Sequence, residues 1–125
     1  MRLLYVEDNR LNALLFEEML HSLPDIELRI AEEGKEALEL ALQWHPDVLV
    51  LDARLPDTTG LDLLPRMRAL PGLETVPAYM CSADTSPEDI ASARRVGFDD
   101  YWVKPVNLQS VIAALKSLVR KASER

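Results

Sequence analysis

Five short apolar or β-branched runs alternate along the chain with five segments of helical periodicity, and no internal repeat or low-complexity stretch interrupts them. The runs at 2–6, 26–30, 48–51, 78–81 and 100–103 read as strands, each bounded by polar, Pro or Gly residues. The intervening periods predict helices at 9–22, 34–44, 60–70, 87–96 and 107–121, with Asn9, Gly34 and Asn107 at starts and Pro46, Pro71 and Gly97 near ends. Strands that alternate with crossover helices imply an α/β fold, a five-stranded parallel sheet doubly wound as (βα)5, because right-handed crossovers leave few other packings. Leu49-Val50-Leu51 is apolar without alternation, as a strand covered on both faces should be. In the last helix Leu108, Val111, Ile112, Leu115, Leu118 and Val119 form one inward stripe, while Lys116, Arg120 and Lys121 face water and complement the helix dipole.

In open parallel sheets ligands bind at the carboxyl ends of the strands. The reactive residues of this chain fall there: Glu7 and Asp8 follow the first strand, Asp52 ends the third, Ser82 follows the fourth and Lys104 the fifth. Three acidic groups on one rim repel each other unless a cation neutralises them, and oxygen-only ligands favour a hard ion such as Mg²⁺, with Mn²⁺ as a substitute. A carboxylate, a hard cation, a lysine and a hydroxyl suit phosphoryl transfer, in which catalysis is mostly positioning and charge neutralisation. Taken singly, Asp52 reads as a turn cap, Lys104 as a solvated charge and Ser82 as a helix or turn cap. Their joint placement favours the site.

The chain resembles the receiver domains of response regulators over essentially its whole length. Glu7-Asp8 resembles the family's metal-binding pair and Leu49-Val50-Leu51-Asp52 its phosphoacceptor strand. The following segment, Arg54-Leu55-Pro56-Asp57-Thr58-Thr59-Gly60, resembles the family's loop, including its proline and glycine. Cys81-Ser82-Ala83 matches the hydroxyl-plus-small-residue step, and Tyr101-Trp102-Val103-Lys104-Pro105 the aromatic, lysine and proline ending, with all five motifs in register.

The resemblance implies a flavodoxin-like strand order 2-1-3-4-5 and Asp52 as a nucleophile that takes a phosphoryl group from a phosphohistidine on a histidine kinase or phosphotransfer protein. Asp8 and Asp52 bind Mg²⁺ through carboxylates in this reading, Arg54 through its backbone carbonyl and Glu7 through water. Lys104 pairs with the phosphoryl group, Ser82 hydrogen-bonds another of its oxygens, and Lys104-Pro105 is a cis peptide. Ser82 and Tyr101 couple phosphorylation to a partner surface formed by the fourth helix, fifth strand and fifth helix. Trp102 reads as packing more than recognition. The chain departs from the common pattern in two respects. Glu7 stands where many relatives have aspartate, and Arg54 with Asp84 is expected to form an exposed ion pair that slows loss of the phosphoryl group.

Other functions fit less well. A phosphatase of the haloacid-dehalogenase type needs a second aspartate two residues after the nucleophile, where this chain has Arg54, so the protein is read as a phosphoacceptor and not a multiple-turnover enzyme. A flavodoxin-like FMN binder needs a phosphate-cradling loop where Glu7-Asp8 would repel the ligand. A receiver-like module that acts by contact alone is disfavoured by the retained Glu7, Asp8, Asp52, Ser82 and Lys104.

With 125 residues, 48% of them hydrophobic, the chain is read as a single domain, residues 1–125, monomeric or weakly homodimeric. Its net charge of −7 opposes direct nucleic-acid binding. The apolar start before Glu7-Asp8 is too short for a signal peptide or a membrane span, and Cys81, the one cysteine, reads as a buried small hydrophobe, so the chain is expected to be cytoplasmic. His21 and His45 lack ligand-spaced companions, and Met19, Met67 and Met80 read as core. The chain stops soon after the fifth helix, which fits a single-domain regulator or a receiver from a longer protein. The segments Val6-Glu7-Asp8-Asn9 and Gly97-Phe98-Asp99-Asp100-Tyr101 lean toward receivers attached to hybrid sensor kinases.

Overall fold

The computed structural model describes residues 1–84 and 86–123. Its elements run β1 (Arg2–Val6), α1 (Arg10–Met19), a 3₁₀ turn (Leu20–Ser22), β2 (Glu27–Ala31), α2 (Gly34–Trp44), β3 (Val48–Asp52), α3 (Gly60–Arg68), β4 (Ala78–Ser82), α4 (Pro87–Val96), β5 (Asp100–Val103) and α5 (Leu108–Ser123). The five strands form one parallel sheet in the order β2-β1-β3-β4-β5. This is the flavodoxin-like order, and the chain reverses direction across the sheet between β1 and β3.

The missing alternation in β3 has a direct structural cause. Leu49 and Leu51 point into a core shared with Ala37, Ala41, Leu63, Leu64, Met67 and Ala93 from α2, α3 and α4. Val48 and Val50 point the other way, into a core shared with Phe16, Val111 and Leu115 from α1 and α5. Burying one such side chain contributes about 1.5–3 kcal/mol, so a doubly covered strand gains from every residue instead of every second one. Cys81 is fully buried on the second face, where burial raises its thiol pKa, and Trp102 stacks on Tyr79 there with ring centroids 4.6 Å apart.

Element ends differ from the sequence reading where local hydrogen bonds decide them. The first helix stops at Met19 and tightens into the 3₁₀ turn, with Leu23 N–H bonded to the Leu20 carbonyl. The second strand starts one residue later than predicted, because Ile26 N–H is held by the Leu23 carbonyl in the turn. The third helix ends at Arg68, two residues early, where Leu70 N–H bonds to the Met67 carbonyl three residues back and tightens the last turn. Leu108, placed in the inward stripe of the last helix, is 48% exposed as the first residue of α5, whereas Val111 and Leu115 are fully buried. Asn9, Thr59, Ser86 and Asn107 each accept from a backbone N–H three residues on, and α4 closes at Gly97 with φ 119°. Among the described residues, no helix is long and apolar enough to cross a membrane.

Candidate functional site

Strand register brings the reactive residues to one edge. Val6 pairs with Leu51, Asp52 with Cys81 and Ser82 with Val103, so β1, β3, β4 and β5 end side by side. The residues just past those ends remain held to the sheet, Glu7 N–H by the Ala31 carbonyl at 2.9 Å and Lys104 N–H by the Ser82 carbonyl at 2.8 Å. The turn after Asp52 folds back closely enough that a Cβ on Gly60 would sit 2.7 Å from the Asp52 carbonyl oxygen, which reserves that position for glycine.

One ammonium serves two carboxylates in this cluster. Lys104 Nζ lies 2.7 Å from Glu7 Oε1 and 3.2 Å from Asp52 Oδ1. The Glu7 side chain is fully buried, while those of Asp52 and Lys104 are 11% and 19% exposed. Burial, reinforced by the neighbouring Glu7, pushes the Asp52 carboxyl up to about 7. Burial also acts to raise Glu7, but hydrogen bonding with Asp52 and Lys104 outweighs it and holds that carboxyl below its usual value. Lys104 is likewise driven down by burial and, more strongly, up by its two acidic partners. The two carboxylates therefore titrate as a pair, with one proton retained near neutrality.

The cluster fits a hard divalent cation. Glu7, Asp8 and Asp52 each offer a carboxylate oxygen, and all three lie within 4.8 Å of one another. Glu7 Oε2 is buried without a hydrogen-bond partner among the described residues, a costly state for a carboxylate oxygen that a cation or its water would relieve. Glu7, expected to act through water, has Oε1 on the Lys104 ammonium. The all-oxygen donor set suits Mg²⁺.

This arrangement predicts a pH dependence. A carboxyl raised above its unfolded value of 3.8 contributes stability that is fully present at low pH and is lost as pH rises through the folded value of about 7. Glu7 contributes in the opposite sense but only around and below its usual 4.5. Metal-free protein should therefore lose stability between 4.5 and about 7, by at most about 1.4 kcal/mol per pH unit for the one proton involved. Thermal unfolding in chelator at stepped pH checks this, and millimolar Mg²⁺ should flatten the slope. A pH-independent midpoint in chelator would mean that the carboxylates are not coupled in this way.

Around the mouth, a cavity of 560 Å³ is lined by Asp52, Ala53, Arg54, Ser82, Ala83, Asp84 and Lys104. Ser82 Oγ accepts from Asp84 N–H at 3.1 Å, and the Tyr101 hydroxyl donates to the Asp84 carbonyl at 2.9 Å. The expected Arg54–Asp84 ion pair is corrected: among the described residues, none joins them within 4.0 Å. Asp84 Oδ1 instead accepts from Ser86 N–H at 2.8 Å, the bond that chiefly holds its carboxyl below the usual range, with Arg54 contributing only a more distant field. The Lys104–Pro105 peptide is cis. A larger cavity, 1070 Å³, opens among Met1, Asp25, Asp47, Pro77 and Asp99 and contains none of these residues.

Sequence reasoning passed over three features. Tyr5 directs its hydroxyl at Glu7 Oε1 from 3.5 Å, a pairing invisible in a run that reads as apolar. Asp57 accepts from Gly34 and Lys35 N–H, a contact across two loops with no local signature. Leu11, Leu14 and Leu15 are 65%, 62% and 58% exposed; the available signal was that α1 carries more leucines than one buried face can take.

Comparisons with known proteins agree with this geometry. A family model for the response regulator receiver domain matches residues 3–116. The transcriptional regulatory protein TrcR of Mycobacterium tuberculosis is 34% identical over 122 residues, 98% of this chain and 46% of that protein. Probable transcriptional regulatory protein TcrX of the same organism is 38% identical over 92 residues, 73% of this chain and 38% of that protein. The chain spans less than half the length of these two relatives. A response regulator structure from Chloroflexus aurantiacus superposes with a TM-score of 0.86 at 30% identity, covering 95% of this chain and 97% of the other. The receiver domain of sensor histidine kinase PA1611 from Pseudomonas aeruginosa, with a magnesium ion coordinated in its active site cleft, gives 0.83 at 28% identity over 93% and 94%. Agreement in sequence, strand order and extent over nearly the whole length means that the chain belongs to the response regulator receiver domains of two-component signalling.

Proposed function

We propose that this chain accepts a phosphoryl group from a phosphohistidine onto Asp52, with Mg²⁺ bound, and so switches a surface that a downstream protein reads. The observation that carries this reading is the Asp52 carboxylate, buried at a strand end within 3.2 Å of the Lys104 ammonium and grouped with Glu7 and Asp8. An Asp52 oxygen attacks phosphorus, the P–N bond to the donor imidazole breaks, and a P–O bond forms, giving an aspartyl phosphate and a free histidine. Asp8, Asp52 and the Arg54 carbonyl hold the cation, with Glu7 behind them. Bound Mg²⁺, or Mn²⁺ in its place, supplies neutralisation of the phosphoryl oxygens. Lys104 exchanges its contact with Asp52 for a phosphoryl oxygen, and Ser82 donates to another. Arg54 and Asp84 at the mouth set how readily water returns to the phosphorus. The chain is a phosphoacceptor with slow self-dephosphorylation and not a multiple-turnover enzyme.

The output side of the reading rests on Ser82 and Tyr101. A cavity of 170 Å³ is lined by Met80, Ser82, Asp84 and Tyr101, which gives the half-buried ring room to move inward once Ser82 turns toward a phosphoryl group. The surface affected is α4-β5-α5, where Val103 is 38% exposed, and it serves a downstream protein or a weak homodimer. Nucleic acid and membrane are not proposed as partners of these 125 residues, whose charge of −7 opposes a phosphate backbone, and the setting proposed is the cytoplasm.

A histidine kinase or histidine phosphotransfer protein has a place to dock beside the site. Leu15, Phe16, Met19, Pro105, Val106 and Leu108 line an apolar groove of 370 Å³ that reaches Lys104 at the active rim. Leu11 and Leu14 extend the exposed apolar surface along α1. Leu15→Glu should slow transfer from a phosphohistidine protein about tenfold or more, the loss of one well-packed apolar anchor, while uptake from a small phosphodonor stays unchanged. Equal loss with both donors would put Leu15 in the site's chemistry instead of in docking. The reading as a whole is tested by incubation with Mg²⁺ and a small phosphodonor followed by intact-mass measurement.

A further inference from the structure

The turn that follows the phosphoacceptor strand, residues 53–60, is closed by few bonds of its own. Arg54 and Thr59 form an isolated antiparallel bridge, Leu55 N–H bonds to the Thr58 carbonyl at 3.0 Å, and Gly60 N–H bonds to the Ala53 carbonyl at 3.0 Å. Ala53 N–H holds its start to the Cys81 carbonyl at 2.9 Å, and Ala53 and Leu55 pack against the core; its far end is anchored by a side chain. Asp57 Oδ1 accepts from Gly34 N–H at 2.8 Å and Oδ2 accepts from Lys35 N–H at 3.0 Å, so both carboxylate oxygens are fixed on the first turn of α2. That helix has no cap of its own, because Glu33 at its N-cap position makes no side-chain bond to the helix. Asp57 therefore closes the N-terminus of α2 from a distant loop, and the closure fixes the loop as much as the helix. Contact at the same place is tight: a Cβ on Gly34 would lie 2.5 Å from Thr58 Cγ2 and 3.3 Å from Asp57 Oδ1.

We propose that Asp57 is a positioning residue for the metal half of the site: by clamping the turn onto α2 it sets where the Arg54 carbonyl stands relative to the carboxylates of Asp8 and Asp52. The proposal rests on the reading of Arg54 as a backbone ligand. A backbone ligand cannot swing to its metal by changing rotamer, so its position is that of the loop, and whatever fixes the loop tunes the affinity. Gly34 belongs to the same device, since a Cβ there must displace the Thr58 side chain beside Asp57.

Calorimetric titration of the unphosphorylated full chain with MgCl₂, alongside amide hydrogen exchange in chelator, tests the clamp without reference to phosphoryl transfer. Asp57→Ala should weaken Mg²⁺ binding about tenfold or more, as removal of a residue that orients a metal ligand does. It should also speed exchange at Leu55 and Gly60, whose N–H groups close the turn. Asp57→Asn, which keeps one acceptor oxygen, should recover part of both. The double variant Asp57→Ala with Glu33→Ser supplies α2 with a local cap; it should regain thermal stability but not Mg²⁺ affinity. Gly34→Ala keeps Asp57 and favours the helix, yet should also weaken Mg²⁺ binding through Thr58. Parent-like affinity in Asp57→Ala, or affinity restored by Glu33→Ser, would overturn the proposal and leave Asp57 as a helix cap. If the parent itself binds no Mg²⁺, the reading of the metal site fails and the clamp with it. Unchanged variants beside a binding parent overturn the clamp alone.

Discussion

Replacing Asp52 with asparagine should abolish phosphoryl uptake: the parent, incubated with Mg²⁺ and a small phosphodonor, gains one phosphoryl group by intact mass and the variant gains none. Asparagine has the shape of aspartate without the anionic oxygen, and a neutral amide oxygen is a poor nucleophile that would leave an unstable imidate on attack. The same substitution has a second, opposite effect that separates chemistry from folding. Asp52 is a carboxyl whose charged form is disfavoured by burial, as its value of about 7 records. An uncharged isostere removes that burden, so in chelator near neutral pH the variant should be more stable than the parent, by about 1–2 kcal/mol. Phosphoryl uptake that survives in a well-folded variant would move the acceptor to another residue and remove the basis of the proposed function.

Lys104→Met carries the largest expected cost in stability. Lys104 is the cation within 4.0 Å of either Glu7 or Asp52 among the described residues, and the Glu7 side chain is fully buried. Removing one member of a buried ion pair leaves the other charge uncompensated, a loss of about 3 kcal/mol in metal-free protein. The sign of its pH dependence follows from the same contacts. Hydrogen bonding and Coulombic attraction from Lys104 help to hold Glu7 below its usual 4.5. Without them, the buried Glu7–Asp52 pair has no cation and holds its shared proton to higher pH, so the pair's contribution is intact at low pH and is lost as pH rises. The deficit should therefore be small near pH 4 and largest above neutrality, and Mg²⁺ should restore much of it by taking over the neutralising role. Uptake from a small phosphodonor should fall by about tenfold to a thousandfold, since the ammonium that meets the developing phosphoryl charge is gone. Denaturant unfolding at two pH values with and without Mg²⁺, together with uptake kinetics, reads all three effects. A deficit independent of pH and of Mg²⁺ would place Lys104 outside the electrostatic cluster.

Much of this protein is written in local sequence. Short apolar runs against segments with a period of near four separate strands from helices without reference to anything distant, and the unbroken apolar run Val48–Leu51 already states that β3 is covered on both faces. Capping residues such as Asn9 and Asn107 act on backbone groups three positions away, so those helix starts are legible for the same reason. Helix ends were less so: where α1 tightens and where α3 stops depends on which carbonyl captures the next N–H in the turn, and a residue or two changes hands at little cost.

The site divides along the same line. That Glu7, Asp8, Asp52, Ser82 and Lys104 stand at one edge follows from their position at or just past strand ends in a parallel sheet, and the chain alone determines it. Which oxygen of Glu7 meets Lys104, which is left unpaired, and that Asp84 bonds into its own turn instead of to Arg54, only the tertiary structure decided. The carboxylate of Asp57 on the first turn of α2 and the leucines left uncovered on α1 belong with these. The physical reason is range. Periodicity and caps are set within one or two turns of chain, whereas charge pairing and burial depend on distances between residues far apart in sequence, and those distances exist only once the sheet has formed.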